Sequence, residues 1–221
     1  MNTFLRIDIN IAAFILLGIV FFIAFTNLDR RDKLNKKFLT TSMIIMLEIF
    51  FETATCIINK SPEHILIYVS YFIHTCVFFT APILTYYWFS FIYTWVTPDE
   101  RITKIKQVIL LLPVAVNSVI TLLSPYYGWI FYITQENVYQ RGPFFIISSA
   151  MTYLYLICSF FVILKQKKRI MKQDFIPMVI FGILPMIGGI LQTMFYGVLL
   201  MWSSAAFSLV VVYNFLQQRM I

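Results

Sequence analysis

Two glutamates, Glu48 and Glu52, stand four residues apart in MLEIFFETATC, Met46 to Cys56, inside a run that is otherwise largely apolar. Four residues is close to one helical turn, so the two carboxyls share a face. Thr41, Ile45, Thr55 and Asn59 continue the same stripe at three-or-four spacing. A charged side chain at mid-bilayer costs about 2.5 to 3.5 kcal/mol on insertion scales, and such residues face a bundle interior or a wet cavity. The stripe is therefore expected to point inward. Two carboxylates one turn apart repel when both are ionised. At least one is expected to be protonated or hydrogen-bonded to a cation, and the pair to titrate as a coupled unit. Such a pair suits an amine, a cation or protons.

His74 is the third member of the constellation. It belongs to a second stripe, Tyr71, His74, Phe78, Ala81, Thr85 and Trp88, on the next apolar run. Only Lys60 to Glu63 separate the two runs, which makes them antiparallel neighbours. Counting from the middle of that turn at about 1.5 Å per residue sets Glu48 and His74 level, with Glu52 about one turn nearer the outside. A carboxylate and an imidazole at one depth are natural partners. Asp8, Asn10, Asn117, Thr121, Gln192, Trp202 and Ser203 fall in the same outer half of their own runs. The candidate ligand-binding set is Glu48, Glu52, His74, Tyr71, Asn117, Gln192, Trp202 and Arg141. The competing reading, a buried polar cluster that only fixes helix packing, stays open.

The elements that must position these groups are membrane helices. The chain has 221 residues, 60% hydrophobic, 18% aromatic and 12% charged, and its mean hydropathy is +0.82. A helical span needs about 20 apolar residues, and seven such runs occur, at 7–26, 38–59, 65–93, 107–124, 143–165, 175–196 and 198–217. The expected fold class is all-α, one integral membrane bundle of seven helices. The net charge of +7 sorts by loop. Arg30, Arg31, Lys33, Lys36, Lys37, Arg101, Lys104, Lys106, Lys165, Lys167, Lys168, Arg169, Lys172 and Arg219 fall on one side, against Arg6, Lys60 and Arg141 on the other. The positive-inside rule then places the amino terminus outside and the carboxyl terminus in the cytoplasm. That distribution accounts for the basic charge without nucleic acid, and leaves membrane lipids as the partner of the basic loops.

The amino terminus has no basic region followed by a small-residue cleavage site, so the first run is read as a retained span. Cys56, Cys76 and Cys158 lie in helices without metal-type spacing and are read as packing residues. No metal or cofactor is expected. The outer segment from Ser124 to Gly142 carries six aromatics and is expected to form an interfacial belt or a short lid packed on the bundle. Pro82, Pro113 and Pro185 are expected to kink their helices. Gly182, Gly188 and Gly189 should permit close helix approach. The short link around Tyr196 and Gly197 should make the last two helices a tight antiparallel hairpin. The final FLQQRMI leaves the membrane still in helical composition, which predicts a larger parent protein.

Several functions are excluded by residues. A retinal Schiff base needs a mid-membrane lysine, and Lys60 and Lys165 sit at helix ends. Paired haem-ligating histidines fail because His64 is interfacial. Phosphate-loop, zinc-protease and nucleophile-elbow motifs are missing, so the chain is read as non-enzymatic. A seven-helix sugar facilitator of the PQ-loop type would carry Pro-Gln pairs in two repeats, and the sequence has none.

Residues Tyr139, Arg141, Gly142 and Pro143, then Pro185 to Gly188, Leu191 and Gln192, then Trp202, Gln217 and Gln218 carry a resemblance. They are similar to the amino-terminal seven-helix sensory region of bacterial signalling proteins, which precedes GGDEF diguanylate cyclase domains and, in a related form, histidine kinases. The similarity is clearest over 130–218. It implies a sensory input domain of the bacterial inner membrane, with an effector following the last helix and a homodimer formed through it; it assigns no ligand. The alternatives are a small-molecule transporter or substrate-binding membrane component, and a ligand-free membrane scaffold.

Overall fold

A computed structural model describes residues 3–98, 103–168, 170, 172–195 and 198–218. The link at Tyr196 and Gly197, together with Arg101, Arg169, Arg219 and the end at Ile221, lies outside the described residues.

Seven helices form, α1 Thr3–Asn27, α2 Lys33–Ile58, α3 His64–Val96, α4 Lys104–Tyr127, α5 Phe145–Lys165, α6 Lys172–Met194 and α7 Met201–Gln218. The first six are long and apolar enough to cross a membrane. Helix α7, at 18 residues, is shorter and more enclosed, packing on α1, α2 and α6. Its inner side buries Trp202, Ala205, Leu209, Val212 and Leu216. Helices α1, α2, α3, α5, α6 and α7 close a ring, and α4 leans on the outside of α3. Accordingly α4 turns only a small polar seam inward, Asn117, Thr121 and Ser124. Its leucines, valines and isoleucines cover the outer face.

Local chemistry sets the boundaries. Asp32 caps α2 by accepting from the amides of Leu34 and Asn35 at 2.8 and 2.9 Å. Gly128 ends α4 in the left-handed conformation, φ 67°. The outer segment takes the lid form, built as a short hairpin that helical periodicity gave no sign of. Strand β1, Phe131–Ile133, pairs antiparallel with β2, Tyr139–Arg141, with Phe131 opposite Arg141. Ser124 Oγ ties the hairpin to α4, accepting from the amides of Ile130 and Phe131 at 3.0 Å each. Phe131 is fully buried beneath it.

The close packing of α6 on α7 and α5 depends on two of the three expected glycines. A Cβ on Gly188 would meet Ser204 Oγ at 2.6 Å and the Leu200 carbonyl at 2.7 Å, and one on Gly189 would meet Tyr153 Oη at 2.8 Å. Gly182 instead faces open space, with nothing within 4 Å, so it contributes no close approach. In the half of the bundle nearer the basic loops, aromatics fill the interior. Trp88 stacks on Phe181 at 3.5 Å, Phe91 packs on both Phe181 and Phe38, and Phe38 stacks on Tyr213.

Candidate functional site

The inward stripe of α2 is as the spacing required. Thr41, Ile45, Glu48 and Glu52 are all buried. Their neighbours, however, differ from the depth count. Glu48 Oε1 accepts from Thr80 Oγ1 at 2.6 Å, and His74 Nδ1 lies 2.8 Å from the Ser70 carbonyl. The expected pairing of Glu48 with His74 is therefore corrected.

The error has a geometric cause. Lys37 meets Ser90 and Thr94, Glu48 meets Thr80, and Ile58 shares a partner with Ser70, so α3 is displaced by about six residues from a symmetric turn, roughly 9 Å. Asn59 and Glu63 are extended, with ψ 131° and 121°. Extended backbone climbs about 3.3 Å per residue, not 1.5, and lifts the start of α3 above the end of α2.

Asn137 fills the step this creates. Its side chain donates to the Ile58 carbonyl at 2.8 Å and accepts from Ser70 Oγ at 2.6 Å, while its own carbonyl accepts from Lys60 N at 2.9 Å. It is buried and left-handed, φ 55°, a conformation asparagine tolerates better than most residues. Sequence reading missed it. The available signal was an Asn in the turn of the outer loop, ITQENVY, which on its own marks only a turn.

Between the hairpin, α2, α3 and α6 lies a cavity of ≈ 160 Å³ lined by Glu52, His74, Phe78, Tyr139, Arg141 and Gln192 among others. Four of the expected site residues thus come together: Glu52, His74, Gln192 and Arg141. Tyr139 stacks on His74 at 4.7 Å and 7°. Because the Ser70 carbonyl can only accept, His74 Nδ1 carries the proton of that bond. A neutral ring then leaves Nε2 as an acceptor.

A continuous polar chain runs through the wall. Gln192 Nε2 donates to Glu52 Oε1 at 2.5 Å, and Gln192 Oε1 accepts from the amides of Leu200 and Met201 at 3.1 and 3.0 Å. Asn10 Nδ2 lies 3.5 Å from Glu52 Oε2, and Asn10 Oδ1 accepts from Ser203 Oγ. Arg141 donates from Nη1 to the Thr193 carbonyl at 2.9 Å and from Nη2 to the Gln192 carbonyl at 3.2 Å, so its cation sits at the negative end of α6. The donors that reach Glu52 are neutral amides, not the cation the repulsion argument allowed for.

The remaining expected residues serve elsewhere. Tyr71 Oη bonds the backbone N and O of Ile133 at 3.2 and 3.3 Å and holds the hairpin. Asn117 Nδ2 donates to the Phe78 carbonyl at 2.7 Å. That carbonyl would normally be satisfied four residues on, where Pro82 has no N–H, so Asn117 is a helix prop. Trp202 lines a second, smaller cavity of ≈ 80 Å³ that shares Gln192 and Phe78 with the first. Asp8 is exposed and takes no part.

Arg141 on the hairpin meets Gln192 on α6, so two of the three segments that carried the resemblance touch. A family model described as the N-terminal 7TM region of histidine kinase matches residues 9–221. The chain belongs to this family. No curated protein and no solved structure matches it. The histidine-kinase seven-helix region is a membrane sensory domain and not a catalytic one, which places this chain as a multi-pass protein of the bacterial inner membrane. The family found is the histidine-kinase form of the resemblance.

Proposed function

We propose that this seven-helix sensory region binds a small ligand in the cavity at Glu52 and His74 and reports occupancy through α7 to a cytoplasmic effector. The family supports an effector of the histidine-kinase type; a diguanylate cyclase is the alternative drawn from the resemblance. Signalling then runs through a homodimer held by that effector.

One observation carries this reading. Gln192 is at once a wall of the cavity and the cap of the output helix, because its Oε1 takes the Leu200 and Met201 amides at the start of α7. Two such bonds at about 0.5 to 1.5 kcal/mol net each match the 1 to 3 kcal/mol typical of coupling between sites. A ligand that draws Glu52 away from Gln192 would change the cap, and only a ligand with different affinity for the two arrangements can drive a switch.

A transport reading has less support, since the aromatic packing of Trp88, Phe181, Phe91 and Phe38 fills the bundle beyond the cavity. The test is a fusion of residues 1–218 to a histidine-kinase core in nanodiscs. Gln192→Leu is expected to change autophosphorylation by about tenfold, the equivalent of about 1.4 kcal/mol. An unchanged rate in a folded variant would sink the reading.

A further inference from the structure

We infer that the cavity at Glu52 is built for a small ligand bearing a protonated amine. The inference rests on the cavity being the ligand site, and it concerns the chemistry that site selects.

Size sets the first limit. A cavity of ≈ 160 Å³ is about that of an apolar pocket that takes up one benzene molecule, so the ligand is no larger than one ring with a short substituent.

Hydrogen-bond accounting sets the second. Gln192 spends Nε2 on Glu52 and Oε1 on the α7 amides. Thr55 Oγ1 donates to the Glu52 carbonyl at 2.7 Å, and Arg141 directs Nη1 and Nη2 at carbonyls of α6. The guanidinium of Arg141 carries five N–H groups and lies at the Thr193 and Gln192 carbonyls, so the donors of the lining gather at that end of the cavity and the acceptors at the Glu52 and His74 end. The Glu52 carboxyl has about four lone-pair sites, of which amide donors from Gln192 and Asn10 take two. His74 Nε2 is the acceptor end of a ring whose Nδ1 is engaged by Ser70. The rings of Phe78 and Tyr139 complete an aromatic wall.

An ammonium group presents three donors, no acceptor and a positive charge, which is the complement of the Glu52 and His74 end of this lining. It also competes with Gln192 Nε2 for Glu52 Oε1. Binding is thereby tied to the same residue that caps α7.

The experiment titrates the 221-residue chain in nanodiscs with benzylamine, benzyl alcohol and benzoate at pH 7, reading saturable shifts in thermal unfolding. Benzylamine is expected to bind at least about tenfold more tightly than either isostere, as charge-assisted hydrogen bonds are the stronger class. Glu52→Gln is expected to abolish that preference, and Glu52→Asp, which keeps the carboxyl, to retain part of it. Should Glu52→Gln fail to fold, the comparison of the three probes on the unaltered chain still decides. Equal shifts from all three, a benzoate preference, no shift from any, or an amine preference that survives Glu52→Gln would each overturn the inference. A benzoate or benzyl alcohol site in the cavity would leave the sensory reading standing, whereas an unresponsive Gln192→Leu fusion would remove that reading alone.

Discussion

Gln192 Nε2 donates to Glu52 Oε1 at 2.5 Å, joining side chains 140 positions apart on α6 and α2. The same amide presents its oxygen to the first amides of α7. One side chain thus connects the cavity carboxyl to the helix that leaves the bundle.

The first prediction follows from that connection. Gln192→Leu removes both halves of the bridge and leaves the Leu200 and Met201 amides without their acceptor. The cost is expected at about 1 to 3 kcal/mol, seen as a lower unfolding midpoint in nanodiscs. Glu52→Leu added to it should cost much less than in the unaltered chain, because the two changes break one interaction. Fully additive losses would show that the bridge contributes nothing.

The second concerns Asn137. Asn137→Ala loses the bonds to Ile58 and Ser70 and also strains a left-handed position, whereas Asn137→Gly loses only the bonds. Left-handed backbone costs a side-chain-bearing residue about 1 to 2 kcal/mol. The glycine variant should therefore be the more stable of the two, and amide exchange of the β1–β2 hairpin should quicken in both. Equal stability would mean that the conformation is not imposed by the fold.

The third separates glycines that looked alike in the sequence. Gly188→Ala should destabilise the pairing of α6 and α7, since the added methyl meets the backbone carbonyl of Leu200 at 2.7 Å. Gly182→Ala meets nothing and should be neutral or stabilising by up to about 1 kcal/mol, the helix preference of alanine. Thermal unfolding of the two variants side by side checks the order.

How far the fold was legible depends on which interactions act locally. The first six helices follow from apolar length, and the inward face of α2 from residue spacing, because both signals repeat within one helix. Gln192 and Arg141 reached the site by their own depth and motif. The partner of Glu48 did not, because a depth count assumes a symmetric turn and the extended residues Asn59 and Glu63 break that symmetry. Asn137 was invisible for a related reason. Its role exists only once the step between α2 and α3 exists. Gly182, Gly188 and Gly189 share a pattern, and only the packing of α5 and α7 tells them apart.

The same dependence on three-dimensional context yields the last prediction, at Asn117 and Pro82. Pro82 leaves the Phe78 carbonyl without its helical donor, and Asn117 Nδ2 on α4 supplies one at 2.7 Å. Asn117→Ala should therefore expose an unsatisfied carbonyl inside the bundle. Interhelical hydrogen bonds in membranes average about 0.6 kcal/mol and reach about 1.7. Pro82→Ala restores an N–H at the right place, so α3 can satisfy Phe78 itself. In that background Asn117→Ala should lose most of its cost, and the double-mutant cycle should give a coupling of about 0.5 to 1.5 kcal/mol. The sign is decisive: a prop for a proline gap becomes dispensable when the gap closes. A ligand contact would not, because its loss would weaken binding in both backgrounds and leave the unliganded unfolding midpoint unmoved.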